Sequence, residues 1–459
     1  KYLLEVNGRY DGTSRFMKDQ RWNFFPSFSL GWNVARENFW KPLESVVNQF
    51  KLRGSWGELG NQNTSNLYPF YEILPVKSNS GNWVVNGGKT NTADIPSLVS
   101  ALLTWERVRS FNVGFDFGAF SNRLTGSFDY FVRKTVDMVG PAPQLPLVLG
   151  IAPAIVNNAD MKSYGFEIEL SWRDRIGEVD YGVKFNLADA QQKVVKYPNT
   201  TNAFSDWYAG KMSGEIWGYT SLGIAKTDEE MKEHLASLPN GGQNQLGNKW
   251  GAGDIMYADI NGDGKIDGGK GTLADPGDQR IIGNSTPRYN FGLVLDASYK
   301  GFDVSIFFQG VGKRDYAPIV GTNGAVFWGA VNNIWQSMAM EEHFDYFRPE
   351  GHPMGANLNG YYPRPDFTSN KNHQVQTRYL QDASYIRLKN LQIGYTLPKQ
   401  WINKLHINRC RVYVSGDNLW TGTSLASMFD PETLAAGDWG SGKTYPLSKV
   451  ISFGLNVNF

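Results

Sequence analysis
The feature that most constrains this chain is alternation of apolar and polar side chains with a period of two, repeated through one segment after another of about ten residues. In RLTGSFDYFVR, Leu124, Gly126, Phe128, Tyr130 and Val132 fall on one face, and Arg123, Thr125, Ser127, Asp129 and Arg133 on the other. GFEIELSWR sends Phe166, Ile168, Leu170 and Trp172 one way and Glu167, Glu169, Ser171 and Arg173 the other. VDYGVKFNLAD splits Val179, Tyr181, Val183, Phe185 and Leu187 from Asp180, Gly182, Lys184 and Asn186. Successive side chains of a strand point to opposite faces, so each segment reads as a strand with one apolar side. Alternation leaves open what covers that side, because a soluble sandwich alternates as well.

Connection lengths narrow the choice. Strand patterns fall at 1–10, 24–34, 49–57, 105–119, 122–134, 161–173, 178–193, 286–299, 302–312, 384–397, 409–418 and 449–459. Connections after the odd-numbered strands are long, the longest running from 194 to 285, and the intervening ones are short. Long connections on one rim and short ones on the other are the habit of outer-membrane barrels, with the long ones extracellular. The expected fold is therefore all-β, a transmembrane antiparallel β-barrel crossing the bacterial outer membrane many times.

Composition agrees. Aromatics are 14% of the residues, with 15 Trp, and Gly reaches 50. Trp56 and Trp105 are expected at the extracellular ends of their strands, and Trp32 and Trp172 near the short turns, as two interfacial girdles. Trp83, Trp207, Trp250, Trp328, Trp335 and Trp439 fall in long loops. RENFWKPLESVVNQ and LPKQWINKLHI read as helix-like inserts capping two periplasmic turns. The most apolar stretch, 139–156, holds Pro141, Pro143, Pro146 and Pro153 and reads as a loop, since a membrane helix cannot lose those donors. No signal peptide is expected, as the chain opens directly on the strand KYLLEVNGRY. The closing ISFGLNVNF alternates through Ile451, Phe453, Leu455, Val457 and Phe459, like the strand by which bacterial barrels are recognised for assembly.

Several function classes drop out. With 45 basic against 44 acidic residues, no broad electrostatic footprint for nucleic acid exists. The lone Cys410 excludes an internal disulfide framework and a Cys-rich zinc site. His234, His343, His352, His373 and His406 show no metal-ligand spacing, and no G-x-S-x-G or P-loop occurs. Glu167 and Glu169 sit at alternate positions of one strand, which is ordinary polar lining rather than a glycosidase pair. An enzyme is not expected.

Several segments, in order and over nearly the whole chain, resemble the SusC/RagA family of TonB-linked outer-membrane proteins. These are FPSFSLGWNVARENFW with FKLRGSWGELGNQ, FNVGFDFGAFSNRLTGSFDYFVRKTVDMV, VNNADMKSYGFEIEL, and DINGDGKID with DQRIIGNSTPRYNFGLVLDASYKGFDVSIFFQG. YIRLKNLQIGYTLPKQW, RVYVSGDNLW and YPLSKVISFGLNVNF complete the match. The resemblance implies a barrel of about 22 strands behind a plug domain. Residues 1–459 would be its carboxy-terminal twelve strands, with the plug and the TonB-contacting segment outside this chain. It further implies TonB-energised uptake of a large nutrient, a glycan or an oligopeptide, with a SusD-like surface lipoprotein as a lid. Two other readings stay open: a passive porin-like channel closed by this chain alone, and a secreted glycan-binding β protein.

One motif carries chemistry of its own. In DINGDGKID, Asp259, Asn261 and Asp263 occupy positions 1, 3 and 5 of an EF-hand-like loop. Gly264 gives the bend, Lys265 a backbone carbonyl and Asp267 position 9. Lys270 stands where a closing acid belongs, so the insertion GGKGTLADPG shifts closure to Asp278, with Asp275 as rival. The expectation is a structural Ca²⁺ within an extracellular segment, 254–285. Flanking EF-hand helices are absent, which argues against a regulatory calcium sensor, and the alternative is an Asx-rich turn without metal. For substrate, the flat rings of Trp328 and Trp335 are the candidates, against ordinary loop packing or contact with the lid.

Overall fold
The computed structural model describes residues 1–459 except 65, 143–145, 147, 149, 152, 319–324, 329–338, 367–370, 404–405 and 435–443. Twelve strands form one antiparallel sheet in strict chain order. They are β1 Tyr2–Gly12, β2 Trp22–Asn33, β3 Gln49–Asn61, β4 Glu106–Ala119, β5 Leu124–Val139, β6 Asn157–Ile176, β7 Val179–Lys196, β8 Arg288–Tyr299, β9 Phe302–Lys313, β10 Tyr385–Thr396, β11 Arg409–Thr423 and β12 Val450–Asn458. All twelve expected strands are present, and β1 and β12 stand at the two ends of the order. Among the described residues no helix is long and apolar enough to cross a membrane.

Short turns are built by their residues. Between β8 and β9, Lys300 and Gly301 both take positive φ, +45° and +89°. That pair of conformations is the twist-matched two-residue turn that joins adjacent strands tightly, and glycine enters its second position without strain. Between β2 and β3 the expected insert forms two short 3-10 helices, Val34–Arg36 and Asn38–Leu43, with Pro42 in the second. Trp40 stacks on Phe50 at 5.1 Å and donates to the Val47 carbonyl, fixing this insert to its strand. The second insert forms as Lys399–Ile402.

The chain divides into two compact units, residues 1–167 with 190–212, and residues 168–189 with 213–459. In the first, register pairs Trp56 with Phe28 and Phe111, and Phe115 with Phe128. Those residues and their same-parity neighbours make an apolar face, much of it exposed: Leu4 is 70% and Val6 58% accessible. Exposed apolar rows on a sheet are what lipid requires and water does not tolerate. Arg53 lies on the opposite face, a fork holding Asp129 at 2.5 Å and Asp116 at 3.1 Å. Trp56 and Trp32 lie on the apolar face, but Trp105 does not stand in a girdle. It is 4% exposed, packed on Phe16 and Phe25, with its indole donating to the Arg21 carbonyl.

In the second unit the pattern repeats. Phe185, Leu293 and Phe308 pair across β7, β8 and β9 on the apolar face. Arg411 and Asp303 form an ion pair on the polar face, and Asn390 donates to Asp417 at 2.7 Å. Ile451, Phe453 and Leu455 of β12 are 66, 84 and 64% exposed, an apolar row on the last strand of the order.

Candidate functional site
The long connections of the second unit are not slack. Residues from the segments after β7, β9 and β11 build a hydrophobic core separate from the strands. It contains Tyr219, Ile255, Tyr257, Phe327, Trp328, Tyr379 and Phe429. In the segment after β7 a helix, α1 (Asp228–Ala236), starts on a Thr227 cap whose hydroxyl accepts from the Glu230 amide, with three acidic residues in its first turn.

A fully buried carboxylate, Asp254, organises the packing. It accepts from Arg364 at 2.8 and 2.6 Å, from the Lys371 ammonium at 2.8 Å and from Asn372 at 2.9 Å. The Tyr257 hydroxyl donates to the Lys371 carbonyl at 2.7 Å, and burial raises its pKa well above the usual range. Tyr219 beside it is pushed up to about 12, chiefly by burial. Both phenols stay neutral, and the Tyr257 hydroxyl also accepts from the Gln376 amide at 3.2 Å.

Trp328, singled out as a ring for ligand stacking, is 2% exposed. It stacks on His373 at 4.5 Å and meets the edge of Tyr379 at 4.7 Å, so in this structure it braces the cap instead of facing solvent. Trp335 lies outside the described residues. The His373 imidazole is pushed down to about 4 by burial, and its Nδ1 has no partner among the described residues. The folded cap therefore refuses a proton that the unfolded segment accepts near 6.5. Its contribution to stability is present above about 6.5 and is lost as pH falls toward 4. Protease protection of residues 213–287 should drop on acidification across that window, and less in His373→Phe than in the native chain. Equal losses would contradict this account of His373.

Beside this core lies an open cleft of ≈ 620 Å³ lined by Glu342, Asp345, Tyr361, Arg378, Gln381 and Ser427, among others. Arg378 donates to the Gly360 and Tyr361 carbonyls, which fixes its guanidinium over the Tyr361 and Tyr379 rings at 5.9 and 5.7 Å. Glu342 is held by the Ser427 hydroxyl, which lowers its pKa. A half-buried aromatic face with a fixed cation and a fixed carboxylate suits a ligand with apolar faces and polar edges. Sequence reading missed this cleft, because its residues come from four short stretches of two non-periodic connections, those after β9 and β11.

The acidic loop forms a chain of tight turns. Asp259 accepts from the Gly262 and Gly264 amides at 2.7 and 2.8 Å, Asn261 from Asp263, and Asp263 from Lys265. Gly262 and Gly264 take φ of +77° and +78°. Asp278, fully buried, ties the two halves of the loop together by accepting from the Ile260 and Asp267 amides, both at 2.8 Å. The Lys265 ammonium sits 2.5 Å from Asp267 and 3.8 Å from Asp263. Among the described residues no three His, Cys, Asp or Glu side chains converge closely enough to hold a metal as they stand. The alternating oxygen donors thus share one turn, with a lysine as the internal cation.

Comparison with known proteins adds the following. The model of the TonB dependent receptor-like β-barrel matches residues 1–419. TonB-dependent receptor P3 of Formosa agariphila is 30% identical over all of this chain and 44% of its own length. TonB-dependent receptor SusC of Bacteroides thetaiotaomicron is 24% identical over all of this chain and 42% of its own. The RagAB peptide transporter shares the fold, with a TM-score of 0.74 at 21% identity over all of this chain and 46% of that one. The chain spans less than half the length of these relatives.

Proposed function
Because the chain belongs to the TonB dependent receptor-like β-barrel family, we propose that the full-length protein is an active importer of large nutrients. Its strands cross the bacterial outer membrane as part of a TonB-dependent receptor barrel. In the proposed reading the cargo is a glycan or an oligopeptide, TonB supplies energy through residues beyond this chain, and a SusD-like surface lipoprotein closes over the loops. No catalytic step is assigned to the chain.

The observation that carries the reading is the packed cap of the second unit. Loops that merely narrow a passive channel need no hydrophobic core, no buried Asp254–Lys371 pair and no fixed cleft. A rigid, concave, aromatic surface is what gripping a ligand or docking a partner requires. Trp328 serves it from behind, by bracing Tyr362 and Tyr379. The test is purification of the full-length protein from native membranes, followed by single-channel recording. Expected are a co-purifying lipoprotein and a barrel closed at rest. A lone barrel with steady, unplugged conductance supports the passive channel and defeats this proposal.

The reading extends to residues 259–278, where Ca²⁺ would be held by Asp259, Asn261, Asp263, the Lys265 carbonyl, Asp267 and Asp278. Oxygen–metal distances of about 2.3–2.6 Å are expected. Lys265 is the competing cation, so Lys265→Ala should tighten Ca²⁺ binding and Asp263→Ala should abolish it. Hydrogen exchange over 254–285, with and without Ca²⁺, reads both. A loop indifferent to Ca²⁺ in the native chain and in Lys265→Ala leaves the Asx-turn account standing.

A further inference from the structure
The apolar face of the first unit changes chemistry abruptly at the rim that carries the long loops. Across β3, β4 and β5 the register stacks rows Leu52–Phe115–Phe128, Gly54–Val113–Tyr130 and Trp56–Phe111–Val132. The next row on the same face is Glu58–Arg109–Lys134, and the row beyond it is Gly60–Arg107–Val136. Three cations and one carboxylate therefore stand directly past the last apolar row. On β6 the alternation makes the same switch, from Tyr164 to Lys162.

The carboxylate is spent on holding the guanidinium groups. Glu58, 6% exposed, accepts from Arg107 at 2.7 Å and from Arg109 at 2.6 Å. It neutralises one charge and orients both forks. Arg109 and Lys134 remain exposed, Arg107 Nε is buried without a partner, and Lys134 has no acidic partner among the described residues. An excess of positive charge thus sits in register with the upper edge of the lipid-facing band. In an outer-membrane barrel that height is the outer-leaflet headgroup layer. A guanidinium fork matches phosphate oxygens two at a time, and a lysine adds a point charge.

We propose that Arg107, Arg109 and Lys134, positioned by Glu58, bind the phosphate of an anionic outer-leaflet lipid. The site rests on the barrel's place in the membrane and is independent of whether the protein imports nutrients. Native mass spectrometry of the full-length protein, titrated with phosphatidic acid and with phosphatidylcholine of the same acyl chains, tests it. The native protein should retain phosphatidic acid preferentially. Arg109→Gln/Lys134→Gln should weaken that binding about twenty-fivefold, at roughly fivefold per removed cation, and leave phosphatidylcholine unchanged. Arg109→Lys/Lys134→Arg keeps the charge and should keep most of the affinity, which separates loss of the site from loss of fold. Undiminished phosphatidic acid binding by the Gln pair overturns the proposal. So does displacement of the lipid by millimolar inorganic phosphate, which would mark an anion site indifferent to lipid.

Discussion

Asp254→Ala should unravel the loop cap of the second unit while leaving its membrane strands in place. The carboxylate is 0% exposed and Lys371 only 1%, so removing Asp254 takes the nearest countercharge from an ammonium in the interior. Lys371 keeps the Asn248 and Lys249 carbonyls at 3.3 and 3.0 Å and the Trp250 ring at 5.0 Å, and the partly exposed Asp366 carboxylate stands farther off, at 3.9 Å. Arg364 loses both of its bonds to the carboxylate, and Asn372 loses one. Breaking a buried pair by deleting one partner costs about 3–5 kcal/mol, a large share of what a small packed unit has to spare. Hydrogen exchange should rise together at Ile255, Tyr257 and residues 371–379, since those backbones meet at this hub. Asp254→Ala/Lys371→Met should recover most of the loss, because it removes the poorly compensated buried charge along with its partner. Unchanged exchange in the single variant would show that the carboxylate is incidental to the cap.

That hub also marks where sequence reading ended. The strands were legible because each carries its own period, and the pattern survives without knowledge of any partner. Their outer ends were not: β3 was expected to stop at 57 and runs to Asn61, β5 at 134 and runs to Val139, β11 at 418 and runs to Thr423. In the first unit the reason is visible, since the apolar parity breaks at Glu58, Arg109 and Lys134 while the ladder continues. Alternation reports the lipid band, and the strands outlast it. Trp105 misled for a related cause: an indole near a strand end suits an interface girdle and a loop-packed cluster equally well. The cap itself left no periodic trace. Its contacts join Ile255 to Asn372 and Tyr257 to Lys371, separations over which a single sequence carries no register. The acidic loop lay between these cases, since its turns were legible in the spacing of Asp259, Asn261 and Asp263, while the lysine cation in their midst was not.

Leu293→Arg should be among the most damaging single changes in the strands, and Asn186→Arg, one register step away, should be nearly silent. Leu293 stands at the middle of β8, between Phe185 of β7 and Phe308 of β9, all on the apolar face. Asn186 is exposed on the opposite, polar face, opposite Gly292. The two sites share a strand pair and nearly the same depth, so they differ only in which medium the guanidinium meets. On the lipid side at mid-depth, Arg costs ~2–4 kcal/mol; on the polar side it joins a surface already bearing Lys184, Asp296 and Asp303. The contrast appears in urea unfolding of the full-length barrel in lipid vesicles, or in the fraction that keeps its folded mobility on unheated gels. Shortening Leu293 to Ala should cost less than placing Arg there, because a cavity against lipid is filled by acyl chains and a charge is not. Were Leu293 instead buried between two packed sheets in water, Leu293→Ala would also be severe, through the cavity it leaves. Equal damage from Leu293→Ala and Leu293→Arg would therefore place this face against protein, whereas damage confined to Arg places it against lipid.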